Sequence, residues 1–185
     1  MVTIFRADDV GANTDMEKLF RMYEHIQKEF GCTFWSAVSL FSKRTNDGSV
    51  YPGAPFKNNP HDFFYNVDLF SFKNAYPGKV VSHGLIHADH SKLQYDAQEM
   101  SIVASCNFLK TSTFVPPFNK FNGTTEAVCR INKIELVKFH DGWKSLDVED
   151  FDPSHKFWYF HPWRFSLQAF KDKLNVALSL SRKCS

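Results

Sequence analysis

Strand-like and helix-like segments alternate along this chain, and that alternation restricts its fold more than any other feature. VTIF, at residues 2–5, is β-branched and aromatic and stops at ADDVG, the pattern of a short buried strand. A helix is expected next. Thr14 with Glu17 three residues on has the form of a capping box, Met16, Leu19, Phe20, Tyr23, Ile26 and Phe30 recur at helical spacing, and Gly31 supplies a stop. CTFWSAVSLF (32–41) and KVVSH (79–83) read as strands, and 95–109 as a helix. STFVPPF (112–118) is a strand ending in a double-proline turn, and TTEAVCRI (124–131) a short helix. IELVKF (134–139) and KFWYF (156–160) are strands, and LQAFKDKLNVALSL (167–180) is a terminal helix. Helices set between successive strands imply parallel βαβ units, hence an α/β fold. Residues 43–78 break the rhythm: with several Pro, Gly and Asn, including YPGAPFKNNP, they read as a long functional loop or irregular lid. No repeat or linker divides the chain, so 1–185 is expected to form one domain.

Chemically competent residues gather just past the ends of these strands. Asp8 and Asp9 follow VTIF, and His83 and His87 follow KVV. Pro116, Pro117 and Asn119 follow STFV, His140 and Asp141 follow IELVKF, and His161 follows KFWYF. In parallel α/β folds the carboxyl ends of the strands form one face, and ligands bind there. Each piece also has a plain structural reading: an Asp-Asp pair can be a solvated turn, and surface histidines need no ligand. Adjacent carboxylates at a strand end point in different directions, so one can meet a metal while the other faces a substrate. VVSHGLIHADH (80–90) carries three histidines; His83 and His87, four apart, can converge on one ion. An aspartate would complete a His2Asp set with positions left for water. His90 is either a neighbour of that set or an exposed side chain. His161, in YFHPW, is either a structural histidine among Trp158 and Trp163 or a partly desolvated acid or base. Arg6 shares Asp8's side of the strand; buried, it would pair with a carboxylate.

Composition narrows the classes. A net charge of +2, with Lys and Arg scattered, excludes nucleic acid as the main ligand. Cys32, Cys106, Cys129 and Cys184 are widely spaced and form no C-x-x-C pair, so no zinc ribbon or redox motif is present. The start, MVTIFRADD, has neither the basic nor the apolar region of a signal peptide, and no apolar run reaches the length of a membrane span. A cytoplasmic protein is therefore expected, and the glycosylation pattern Asn122-Gly-Thr124 is taken as chance.

The ordered set FRADDVG, SHGLIH, FVPPFN, HDGW and FHPW resembles the polysaccharide deacetylase (NodB-like) superfamily over nearly the whole chain. It is most similar to a short intracellular branch carrying R-x-D-D near the N-terminus and H-P-W-R-F near the end. The resemblance implies a distorted (β/α)7 barrel of about seven parallel strands, open or incomplete because 185 residues is short for the family. It implies that Asp8 is the general base and that Asp9, His83 and His87 bind a divalent metal, with zinc expected. His161 would protonate the leaving amine. The family's R-x-P-Y motif falls on Val115 to Phe118, whose backbone N–H would help form the oxyanion hole, beside Asn119. Two departures stand out. Val115 replaces the arginine that holds the catalytic aspartate, so Arg6 is expected to supply that charge, with Arg164 as the substitute. The Asp-Trp motif is reduced to Asp141 and Trp143, which with Trp163 are the candidates for the substrate pocket.

What the resemblance implies about activity is metal-dependent hydrolysis of an N-acetyl group on a sugar, an oligosaccharide or a polysaccharide precursor. The same residues could serve another amide, an O-acetyl ester or a phosphate ester. A carbohydrate-binding protein on a decayed scaffold is the non-catalytic alternative, favoured by the lost motif arginine and disfavoured by the retention of Asp8 and His161.

Overall fold

β1 (Ile4–Val10) runs through the middle of the sheet, and strands are laid down on both sides of it. The computed structural model describes residues 3–11, 14–40, 43–44, 50–51, 76–85 and 87–181. The strands after β1 are β2 (Thr33–Val38), β3 (Lys43–Arg44), β4 (Val50–Tyr51), β5 (Lys79–Ser82), β6 (Thr113–Phe114), β7 (Glu135–Leu136), β8 (Trp143–Ser145) and β9 (Phe157–Phe160). The helices are α1 (Met16–Phe30), α2 (Tyr95–Leu109), α3 (Gly123–Ile131) and α4 (Leu167–Ser181). Seven strands form one sheet in the order β7-β6-β5-β2-β1-β9-β8, and all its pairings are parallel. β3 and β4 form a separate antiparallel pair. The remainder of the 43–78 excursion up to residue 75 lies outside the described residues.

The sheet is curled. Ala37, Val81, Val115, Val137 and Trp143 form one buried cluster with Ile4, Trp35, Phe157 and Tyr159, although these come from both edges of the sheet as well as its centre. Only a sheet bent around them brings β7's continuation and β8 to the same apolar interior. β7 and β8 are its two edges and do not pair with one another, so the barrel is incomplete and open along that seam. Helices cover the outer face. Phe5, Ala7, Val10, Phe34 and Phe160 pack there against Leu19, Met22 and Ile26 of α1 and Phe170 and Leu174 of α4. α2 and α3 cover the β6 side with Ile102, Cys106, Val128 and Cys129 around Phe114. The thiols of Cys32, Cys106 and Cys129 are all buried and free.

Local chemistry explains several boundaries. The cap of α1 is Asp15, which accepts from the Lys18 N–H at 3.0 Å, rather than Thr14, whose hydroxyl accepts from the Gly11 N–H at 2.9 Å. Gly78, with φ 75°, leads into β5, and a Cβ there would lie 2.2 Å from the Phe34 carbonyl oxygen. Only glycine fits both the angle and the approach. Asn122 caps α3: its Oδ1 accepts from the Thr125 N–H at 3.0 Å and its Nδ2 donates to the Ser91 carbonyl at 2.9 Å. The amide that a glycan would need is thus committed to the fold. β8, at three residues, is too short to show a periodic pattern and was not expected from the sequence.

Candidate metal centre and its flanking acid–base pairs

At the end of β1 the strand alternation is deliberately broken. Arg6 and Asp8 are buried and share the inner side of the strand, and then Asp9 adopts φ 56° and the pairing with β2 slips between Ala7 and Val10. That bulge re-aims the second carboxylate. Asp8 turns to Arg6, which donates from Nε to Oδ1 at 2.6 Å and from Nη2 to Oδ2 at 2.7 Å. Asp9 turns to the histidines. The Arg6 guanidinium lies 4.3 Å from the ring centroid of Trp143 and 5.2 Å from that of Tyr159, and Nη2 also donates to Asn119 Oδ1 at 3.2 Å. A charge with no solvent exposure is tolerable only when paired and hydrogen-bonded; the bidentate contact serves Nε and Nη2, while Nη1 is buried without a partner among the described residues.

β5 delivers the histidines. The His83 N–H donates to the Val38 carbonyl at 2.8 Å, and Gly84, at φ 91°, turns the chain so that His87 returns to the same place. The two rings stand 5.1 Å apart. His83 Nδ1 donates to the Val115 carbonyl at 2.8 Å, which leaves Nε2 with a bare lone pair in the neutral ring. That Nε2 is 3.3 Å from Asp9 Oδ1, and His87 Nε2 is 2.6 Å from the same oxygen. One donor atom from each of the three residues falls within 4.8 Å of the others. Burial raises the Asp9 carboxyl's proton affinity, but the imidazoles of His83, His87 and His161 around it outweigh burial and hold the group well below its usual range. Lone pairs of two imidazoles and a carboxylate aimed at one point require a positive charge between them. A divalent ion satisfies all three donors at once, and the donor set fits one that accepts both nitrogen and oxygen. His87 Nδ1 is buried without a partner among the described residues, and the Phe118 ring packs edge-on against that imidazole, centroids 4.5 Å apart.

His161 follows β9 on the other side of β1. Its backbone N–H donates to Asp147 Oδ1 at 3.0 Å, its Nδ1 donates to Asp147 Oδ2, and its Nε2 lies 3.6 Å from Asp9 Oδ2. Burial pushes the imidazole's pKa down, yet the bond to Asp147 and the charges of Asp9, Asp8 and Asp147 prevail and leave it raised. Arg164 Nε stands 3.7 Å from Asp147 Oδ2. Asp147 was missed in the sequence because SLDVED offers four polar or acidic residues and nothing to single one out. Recognising WKS as a strand would have found it, since Asp147 then sits just past a strand end like its partners.

The other candidates divide. Phe118, at φ 58° and 44% exposed, has a backbone N–H with no acceptor among the described residues, as an oxyanion donor requires. Asn119 reaches Arg6. Trp163 donates from its indole N–H to Asp9 Oδ2 at 3.3 Å, beside the His161 ring. Trp143 is buried beneath Arg6, so it backs the guanidinium and does not line an open pocket. Asp141 is exposed and accepts from the Lys138 N–H at 3.4 Å. His90, far from being exposed, is fully buried: Nδ1 donates to the Ala88 carbonyl at 2.9 Å and Nε2 meets Ser101 Oγ at 3.0 Å.

No family model matches the sequence, and no curated protein does. Solved structures do match. A CE4-family pseudoenzyme from Bacillus anthracis superposes with a TM-score of 0.62 at 12% identity, over 100% of this chain and 61% of that one. A family 4 carbohydrate esterase from Streptomyces lividans, in complex with acetate, gives 0.61 at 11% identity, over 97% of this chain and 88% of that one. A family 4 acetyl xylan esterase from Clostridium thermocellum, in complex with a cobalt ion, gives 0.55 at 12% identity, over 100% and 84%. The chain thus spans about three fifths of the pseudoenzyme's length. The fold is that of the family 4 carbohydrate esterases, the polysaccharide deacetylase type, in an incomplete barrel. No helix among the described residues is long and apolar enough to cross a membrane.

Proposed function

We propose that this chain is a metal-dependent hydrolase that removes the N-acetyl group from a sugar, an oligosaccharide or a polysaccharide precursor. The observation that carries the reading is the convergence of Asp9, His83 and His87 on one point, with Arg6-paired Asp8 and Asp147-paired His161 beside it. A divalent ion held by those three residues would supply Lewis acidity and bring the pKa of water toward neutrality.

The chain's own groups account for the proton traffic. Asp8 takes the proton of the attacking water; each of its oxygens keeps a lone pair beyond the one given to Arg6. The paired guanidinium fixes the direction of the carboxylate. The Phe118 N–H donates to the oxygen of the tetrahedral adduct, where charge builds up. His161, holding its proton because Asp147 and Asp9 are close, delivers it from Nε2 to the departing amine, which is too basic to leave as an anion.

Acetate release from N-acetylated sugars, assayed with and without chelator, tests this. Release that stops on chelation, returns with added zinc and is lost in His83→Ala supports the reading; full activity in the metal-free protein would sink it. A second reading, O-acetyl ester hydrolysis, is favoured by the likeness to an acetyl xylan esterase. An alkoxide leaves with less help than an amine anion, so His161→Ala should spare ester turnover relative to amide turnover. Metal binding without turnover of either would instead favour a carbohydrate-binding role.

A further inference from the structure

The two oxygens of Asp9 have different company. Oδ1 faces His83 Nε2 and His87 Nε2 at 3.3 and 2.6 Å, whereas Oδ2 faces the Trp163 indole N–H at 3.3 Å and His161 Nε2 at 3.6 Å. A carboxylate free to rotate could offer both oxygens to an ion and fill a coordination position that water needs. A donor fixed on one oxygen prevents that. The indole is well placed to be such a donor: Pro162 and Arg164 lie in the same single turn of 3-10 helix, and Arg164 stacks over the Trp163 ring at 4.9 Å. The ring is 43% exposed, so packing alone gives little reason for a tryptophan here.

We propose that Trp163 is a positioning residue for the metal centre: its indole N–H holds Asp9 Oδ2, so that Asp9 presents Oδ1 alone to the ion. This inference rests on the metal-site reading above. It gives Trp163 a task other than lining the substrate pocket, and one that its N–H performs and its ring does not.

Two replacements separate the atom from the ring. Trp163→Phe keeps an aromatic side chain and removes the donor; exchanging the indole for benzothiophene keeps the whole bicyclic shape and puts sulfur where N–H was. Zinc titration of the metal-free protein by calorimetry is the readout, with the thermal midpoint of the metal-free protein measured alongside. Both replacements are expected to weaken zinc binding by about 10- to 100-fold while leaving the metal-free midpoint unchanged. Zinc bound as tightly by the benzothiophene protein as by the natural one overturns the proposal, even where Trp163→Phe is unstable. If the natural protein binds no zinc, the metal-site reading fails and this inference falls with it, whereas zinc bound equally by all three proteins removes this inference alone.

Discussion

His83 and His161 stand on opposite sides of Asp9 and each spends Nδ1 on a hydrogen bond, yet the two rings are set up for opposite tasks. His83 donates to the Val115 carbonyl, a neutral acceptor, and aims a bare Nε2 at Asp9 Oδ1. His161 donates to the Asp147 carboxylate, which draws a second proton onto the ring and leaves its pKa raised. The acceptor behind the imidazole, carbonyl or carboxylate, decides whether the front nitrogen serves as a ligand or as an acid. Residue type alone does not.

Breaking the ligand side should have the largest effect. His87→Ala removes one of three donors and should lower zinc affinity about a thousandfold, measured by competition with a chromogenic chelator. Activity should fall to background with it, while the His161 side is left intact. Converting the acid side to the ligand side is the next largest: Asp147→Asn puts a neutral acceptor behind His161. Amide turnover should fall about a hundredfold in kcat, with zinc affinity within a factor of two of the natural protein. A comparable loss of zinc binding would mean that the two sides are not separable.

His90 sharpens the comparison with the smallest effect. It lies on the same segment as His83 and His87 but is fully buried, and burial pushes its pKa down from 6.5 to about 4. The unfolded chain therefore binds the extra proton between those values and the folded chain does not, so stability falls as pH drops through that window. Between pH 7 and pH 5 the loss from this group should be about 2 kcal/mol, read as the difference in urea unfolding between the natural protein and His90→Gln. An identical pH dependence in the two proteins would show that His90 does not carry it.

The positions of Asp8, Asp9, His83, His87 and His161 were legible because each closes an apolar run, and parallel strands bring such ends together. The Arg6–Asp8 contact was legible from two-residue spacing on one strand. Trp143 was misjudged because HDGW gives no sign that a strand begins at its tryptophan, and a strand residue faces a fixed side. Asp141 lies on an exposed turn, where its carboxylate accepts from the Lys138 N–H. Asp9's left-handed backbone could not be foreseen either: no glycine marks it, and it is imposed by the slip in pairing with β2.

The buried cysteines turn the helical layer into its own reporter. Burial raises the Cys32 thiol and pushes Cys106 and Cys129 up to about 11 and about 12. At pH 7 a thiol of pKa 11 is ionised in about one molecule in ten thousand, and only the thiolate attacks an alkylating reagent. Alkylation at Cys106 and Cys129 must therefore wait until α2 or α3 opens. Its rate, resolved peptide by peptide, would time the loosening of each helix without any engineered label.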